Sequence, residues 1–182
     1  MNLLLRLLLL RLRVSRGRRL SVWETAHTRF RVLPTDLDLL FHMNNGKYLS
    51  ILDVGRMDLL LRSGVWRALR TQGWYPVVAG QTITYRRSLK LGQQFDLYTR
   101  MLGFDDRWGY VEQTFCVGDT VYAQAVVRSR FLKESGGSVE HDELARLVGG
   151  FPDELVVPEE LKAWAAMSKA PAVFDTATVQ DR

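Results

Sequence analysis

The chain has 182 residues, 47% of them hydrophobic and 25% charged, which fits one compact domain with a sizeable core and argues against a second. Its formal charge of +5 would suit a polyanion, but Arg6, Arg11, Arg13, Arg16, Arg18 and Arg19 all precede the first acidic residue, Glu24, and without these six the charge is −1. The body therefore carries no basic stripe with interleaved aromatics, which excludes a nucleic-acid surface, and the one cysteine, Cys116, excludes an internal disulfide framework and multi-cysteine metal sites.

In chain order, residues 1–12 are Leu-rich but interrupted by Arg6 and Arg11, too short and too charged to span a bilayer. No Ala-x-Ala cleavage pattern precedes the basic run, which weakens a secretory reading. Two uses remain open for this 1–22 segment: a peripheral contact with anionic lipid through residues 1–20, or a helix docked on a neighbouring subunit. Residues 26–33 alternate Thr28, Phe30 and Val32 against His27, Arg29 and Arg31, a half-buried strand ended by Pro34. Residues 45–61 are apolar nearly all round, so this helix must be enclosed on most sides.

The second half alternates with period two over 82–88, 94–103, 108–117 and 120–132. The breaks are of hairpin type, clearest at Gly118-Asp119, and residues 73–76 form a turn joining helix to sheet. Short helices are expected over 138–150 and 158–167, the second opening on Pro158 and two glutamates. Residues 169–182 read as a flexible tail, leaving 23–168 as the domain. One strand, a buried helix and then four long strands is an α+β order in which an antiparallel sheet wraps around one central helix, the hot-dog arrangement. A lone protomer exposes an edge strand, so a homodimer or homotetramer is expected.

Between the first strand and the helix, residues 36–48 read Asp-Leu-Asp-Leu-Leu-Phe-His-Met-Asn-Asn-Gly-Lys-Tyr. This stretch resembles the active-site loop of hot-dog acyl-CoA thioesterases of the 4-hydroxybenzoyl-CoA thioesterase type: Asp-x-Asp, a spacer, His-x-Asn-Asn and Tyr. The spacing also resembles that of plant acyl-ACP thioesterases. Tyr85-Arg86-Arg87-Ser88-Leu89 and Asp105-Asp106-Arg107-Trp108 resemble the subgroup of thioesterase superfamily member six, so the likeness covers roughly residues 25–133.

The resemblance implies hydrolysis of an acyl-CoA or acyl-carrier-protein thioester without a cofactor or metal. Asp38 would be the nucleophile or general base, and His42 the imidazole of the acyl-ACP pattern. Leu40 stands where the acyl-ACP enzymes carry a catalytic asparagine, which shifts weight from a three-residue mechanism onto Asp38. A carboxylate flanked by Leu37, Leu39, Leu40 and Phe41 is expected to sit in an apolar cleft and to be more basic there. Asp36 is the structural member, its side chain satisfying loop amides. Asn44 and Asn45 fall at the helix start, where an N-cap and a free first-turn amide, best that of Asn45, suit an oxyanion.

Asn44, Tyr48, Arg86 and Arg107, with Arg87, are the candidate substrate contacts, the arginines for coenzyme A phosphates and Tyr48 chiefly by packing near the acyl pocket. His27 and His141 are too isolated to form a metal site with His42. The competing reading is a non-catalytic hot-dog protein that binds acyl chains or fatty acid at a membrane. A cytoplasmic location, peripheral to the membrane, is expected.

Overall fold

In a computed structural model that describes residues 3–14 and 17–168, the chain runs α1 (Leu3–Val14), β1 (Ala26–Arg31), a 3-10 turn (Pro34–Asp36), α2 (Asn45–Arg62), α3 (Val65–Thr71), β2 (Trp74–Tyr85), β3 (Gln94–Phe104), β4 (Gly109–Val117), β5 (Thr120–Lys133), α4 (His141–Val148) and α5 (Glu159–Met167). The five strands make one antiparallel sheet in the order β1-β3-β4-β5-β2. Alternation sets its two faces: along β3, Phe95, Leu97, Thr99 and Met101 are buried, whereas Tyr98 and Arg100 are exposed. The inner face curves around α2, which buries Tyr48, Ile51, Leu52, Val54 and Leu59; each such aliphatic side chain contributes about 2 kcal/mol. The hot-dog expectation holds.

Helix and sheet meet most closely at Gly55. A Cβ there would lie 2.5 Å from Leu97 Cδ2, 2.8 Å from Gln113 Nε2 and 2.9 Å from Thr99 Oγ1, so only glycine lets α2 settle this deep. Around it a polar layer is fully paired: Gln113 Nε2 donates to Leu52 O and Thr99 Oγ1, both at 3.0 Å, and Thr28 Oγ1 donates to Asp58 Oδ2 at 2.7 Å. Such bonds fix the helix in rotation and register, since leaving any of these buried groups unpaired would cost about 1–3 kcal/mol.

Three elements depart from expectation. β2 begins at Trp74 rather than residue 82 and ends at Tyr85, absorbing the stretch expected to be a turn. Pro76 disguises it, but β2 is an edge strand, where a missing N–H is tolerated. α3 follows Gly64, whose φ of +78° turns the chain sharply after α2; seven residues are too few for periodicity to reveal it. α1 docks one face on α2 of its own chain, burying Arg6 and Leu10 while Leu8, Leu9 and Leu12 remain exposed. No helix among the described residues is long and apolar enough to cross a membrane. The expected tail, 169–182, lies outside the described residues.

α5 covers the outer face of the sheet, packing Leu161, Trp164 and Ala165 with Val157 against Leu102, Trp108, Tyr110 and Val126. Arg128 on β5 is buried between the rings of Trp108 and Trp164, 4.6 and 5.3 Å from their centroids. Its guanidinium donates to Ala165 O at 2.6 Å and Ser168 O at 3.2 Å, capping the C-terminal carbonyls of α5 with a positive charge.

Candidate active site

After β1 the chain is strapped to the segment that leads into β3. Val32 N–H donates to Gln93 O and Gly92 N–H to Val32 O, both at 3.0 Å, and Met43 N–H donates to Leu89 O at 2.9 Å. Leu37 bridges Met43 and His42 bridges Lys90, so residues 38–42 are a closed turn on a fixed base. Asp38 N–H donates to His42 O at 2.9 Å and Phe41 N–H to Asp38 O at 3.1 Å. Closing that turn puts Phe41 at φ +59°, the left-handed region that costs a non-glycine residue about 1 kcal/mol. Strain of this kind persists only where the surroundings over-determine it.

Asp38 projects one carboxylate oxygen inward and leaves the other uncommitted. Oδ1 accepts from Leu40 N–H at 2.9 Å and His42 N–H at 3.2 Å; Oδ2 has no hydrogen bond among the described residues. The carboxylate is half-buried, but not by the expected side chains. Leu39, Leu40 and Phe41 are 97%, 74% and 77% exposed, because the tight turn points its tip away from the body; only Leu37 packs against the core. The apolar cleft expected around Asp38 is therefore not made by its own loop within one chain.

Asp36 is almost wholly buried. Its Oδ2 accepts from Leu33 N–H at 2.9 Å and from Arg6 Nη2 of α1, and its main-chain oxygen accepts from Asn44 N–H at 2.8 Å. The last bond sets the start of α2. Asn44 is the N-cap, its Oδ1 accepting from Gly46 N–H at 2.8 Å, which leaves the amide of Asn45, the first helical residue, with no hydrogen bond among the described residues. An amide open to solvent at the positive end of an 18-residue helix can stabilise an oxyanion. The His42 ring is half-buried and forms no hydrogen bond to the Asp38 carboxylate.

Tyr48 is buried against Phe115 and Tyr85, with ring centroids 5.0 and 5.1 Å away. Its hydroxyl accepts from Leu89 N–H at 3.3 Å; burial pushes its pKa up, so it stays a neutral packing group. Tyr85 also donates to Asn45 O at 3.4 Å, which brings the next residues, Arg86 and Arg87, beside the helix start. Both are exposed and bond through their main-chain amides to Tyr122 O. Arg107 is elsewhere. It follows the far end of β3, roughly 30 Å along the strand from the segment that holds the loop, and lies over Trp108. Within one chain it does not join Asp38. Among the described residues no cluster of His, Cys, Asp and Glu could hold a metal ion, and burial pushes the Cys116 thiol up.

Sequence reading missed the interior beneath α2. An apolar cavity of about 380 Å³ lies between the C-terminal half of α2 and the sheet, lined by Met57, Leu60, Trp66, Val77, Met101 and Phe131 among others. Asp53 and Arg56 stand in its wall as an ion pair. Arg56 also donates to Gln113 Oε1 at 2.7 Å; burial lowers its pKa against the opposing pull of Asp53. Asp53, Arg56 and Met57 do carry a legible signal, because their i, i+3, i+4 spacing puts them on one helical stripe with Leu49 and Leu60.

Comparison with known proteins bears on the whole domain. The family model for the thioesterase-like superfamily matches residues 32–165. Protein THEM6 of Xenopus laevis is 39% identical over 145 residues, 73% of this chain and 63% of that protein. Protein THEM6 of Danio rerio is 40% identical over 100 residues, 55% of this chain and 50% of that protein. The chain thus spans between half and about two thirds of the length of these curated relatives. Among solved structures, the probable thioesterase YbaW of Escherichia coli superposes with a TM-score of 0.63 at 22% identity over 72% of this chain and 98% of that one. A gentisyl-coenzyme A thioesterase superposes at 0.60 with 16% identity over 66% and 99%. These likenesses establish the fold.

Proposed function

The chain belongs to the thioesterase-like superfamily, and from that membership we propose that it hydrolyses an acyl thioester, with Asp38 as general base and the Asn45 amide as oxyanion donor. The observation that carries this reading is the pairing, on one rigid loop, of an uncommitted carboxylate oxygen, Asp38 Oδ2, with an unengaged amide at the start of α2. Asp38 Oδ2 takes a proton from water as its oxygen attacks the thioester carbonyl. Charge that develops on the carbonyl oxygen is met by the Asn45 N–H, and the tetrahedral species collapses by expelling the thiolate, which takes up the proton held by Asp38 and so restores the carboxylate. Arg86 and Arg87, exposed beside the helix start, are positioned for the phosphates of a coenzyme A or carrier-protein arm.

The acyl chain would run along α2. Asn45 and Asp53 are eight residues apart, about 12 Å on a helix, so a chain held at the oxyanion site and laid on the Leu49 stripe reaches the apolar cavity behind Asp53. Its lining suits an aliphatic acyl group. A second copy is part of this reading, since Leu39, Leu40 and Phe41 and the β2 edge are bare in one chain; pairing of β2 with β2 would cover them and dry the site.

The test is hydrolysis of an acyl-CoA series by the wild-type chain and by Asp38→Asn. The wild type turns over aliphatic thioesters, and the variant loses about 10²- to 10⁴-fold in kcat; equal rates would refute the assignment. In a single turnover in labelled water, label in the Asp38 carboxylate would show that Asp38 is itself the nucleophile rather than the base. That no hydrogen bond joins the His42 ring to the Asp38 carboxylate favours one competing reading, an acyl-chain binder without turnover. It would show cavity-dependent fatty-acid binding and no hydrolysis of any thioester.

A further inference from the structure

Resting on the hydrolysis proposed at Asp38, we infer that Arg6 is a positioning residue for that site. α1 precedes the residues matched by the family model, yet it sends a guanidinium into the base of the loop. Arg6 is 7% and Asp36 1% exposed, and the two form a buried ion pair. Arg6 also lies 5.8 Å from the centroid of Phe30, and its Nη1 is buried without a partner among the described residues. A buried charge with an orphan nitrogen is a poor way to gain stability, since an apolar pair of similar volume would serve as well or better. It is a good way to fix one carboxylate in one place.

What Asp36 fixes is the catalytic geometry. Its side chain holds Leu33 N–H at 2.9 Å, its main-chain oxygen holds Asn44 N–H at 2.8 Å, and Asp38 follows two residues on. The amide of Asn45 and the carboxylate of Asp38 are thus both tied to the residue that Arg6 grips. Losing that grip leaves Asp36 buried and uncompensated, so the turn must shift to hydrate it, and a shift near 1 Å is enough to spoil a near-attack geometry. Arg6 touches no substrate; it acts through Asp36. A cavity of about 230 Å³ beside Arg6, lined by Leu9, Leu10, Phe30, Leu33 and Val54 among others, offers a route by which a small cation could replace the guanidinium.

The experiment measures steady-state hydrolysis and amide hydrogen exchange for the full chain, Arg6→Gln, Arg6→Ala, and the double variant Arg6→Gln/Asp36→Asn, with Arg11→Gln on the exposed face of α1 as control. In Arg6→Gln, kcat falls between about ten- and a hundredfold, while KM stays within about twofold. Exchange of the Leu33 and Asn44 amides quickens, whereas Leu52 and Leu97 in the core keep their protection. Guanidinium ion at tens of millimolar restores kcat to Arg6→Ala, and Arg6→Gln has no further effect once Asp36 is Asn. Wild-type kcat and exchange in Arg6→Gln would overturn the proposal; so would loss of core protection together with kcat and no rescue, or additive effects in the double variant. If the wild-type chain hydrolyses no thioester the functional reading fails, and the exchange of Leu33 and Asn44 then decides on Arg6 alone.

Discussion

Asp36 and Asp38, two residues apart, are committed to different tasks by the hydrogen bonds available to each. Asp36 is nearly inaccessible and spends its carboxylate on Arg6 and Leu33; Asp38 is half-buried and keeps one oxygen uncommitted. The role expected of Asp38 came from the resemblance to the thioesterase loop, not from the spacing itself, whereas the helix start at Asn44 and Asn45 was legible in the residues because capping chemistry is local. Arg6 was not legible: its partner lies 30 residues away, and no spacing rule links a basic residue in an apolar run to a loop aspartate. Arg107, which follows β3, stands apart from the loop within one chain, a separation that the subgroup motif does not encode. Gly55 belongs to this scale as well. Gly55→Ala would drive a methyl into Leu97 and Gln113, and we expect a loss of about 1–3 kcal/mol in urea unfolding, with the slope of the transition unchanged because the exposed surface is the same.

Among elements, alternation located β3, β4 and β5 to within a residue or two; burial alternates with it most plainly along β3, whereas β4 leaves no residue exposed and β5 few. Alternation failed for the first half of β2, which lies at the edge and is covered only in part on either face, so the pattern is faint. The opposite edge, β1, is held to β3 by an ionic cluster. His27 Nε2 lies 2.6 Å and Arg29 Nε 3.0 Å from Asp96 Oδ1. Burial alone would raise the pKa of Asp96, but the hydrogen bonds from His27 and Arg29 outweigh it and hold it below the usual carboxylate range. A depressed carboxylate stabilises the fold above its unfolded pKa and loses that contribution as pH falls through the folded value. Unfolding midpoints of wild type and Asp96→Asn should therefore differ at pH 6 and converge below about pH 4.

α5 depends on one side chain in a similar way. Arg128→Leu removes two charge-assisted bonds to Ala165 O and Ser168 O and the contacts with two indoles, together about 2–4 kcal/mol. The expected result is fast amide exchange confined to α5, with Trp164 fluorescence shifted to the red and the sheet still protected.

At the scale of the whole molecule, the two faces and two edges of the sheet determine what assembly is open to it. The inner face is filled by α2. The outer face is closed at one end by α5, and at the other it is polar, with Arg100 paired to Glu112 at 2.8 Å and Gln124 bonded to Thr114 at 3.3 Å; neither half offers the apolar core that a stable interface of roughly 1,600 Å² needs. Stacking of sheets back to back is thereby disfavoured. What remains bare is β2, with Val78 and Tyr85 46% and 40% exposed, and the loop tip at Leu39, Leu40 and Phe41. Pairing through β2 would join two sheets into one, satisfy the edge, and bring one chain's loop tip and cavity mouth toward the other's. Sedimentation equilibrium should give a dimer of the 20.9 kDa chain without tetramers. Ala79→Lys/Thr82→Lys, which places charge at two exposed positions of that strand, should shift it to monomer. Thioester hydrolysis should fall with the dimer fraction as the variant is diluted, because a monomer leaves Leu39, Leu40 and Phe41 beside Asp38 bare. A tetrameric wild type would overturn the argument against stacking, and a monomeric variant with full activity would show that neither the edge nor the second copy serves the site.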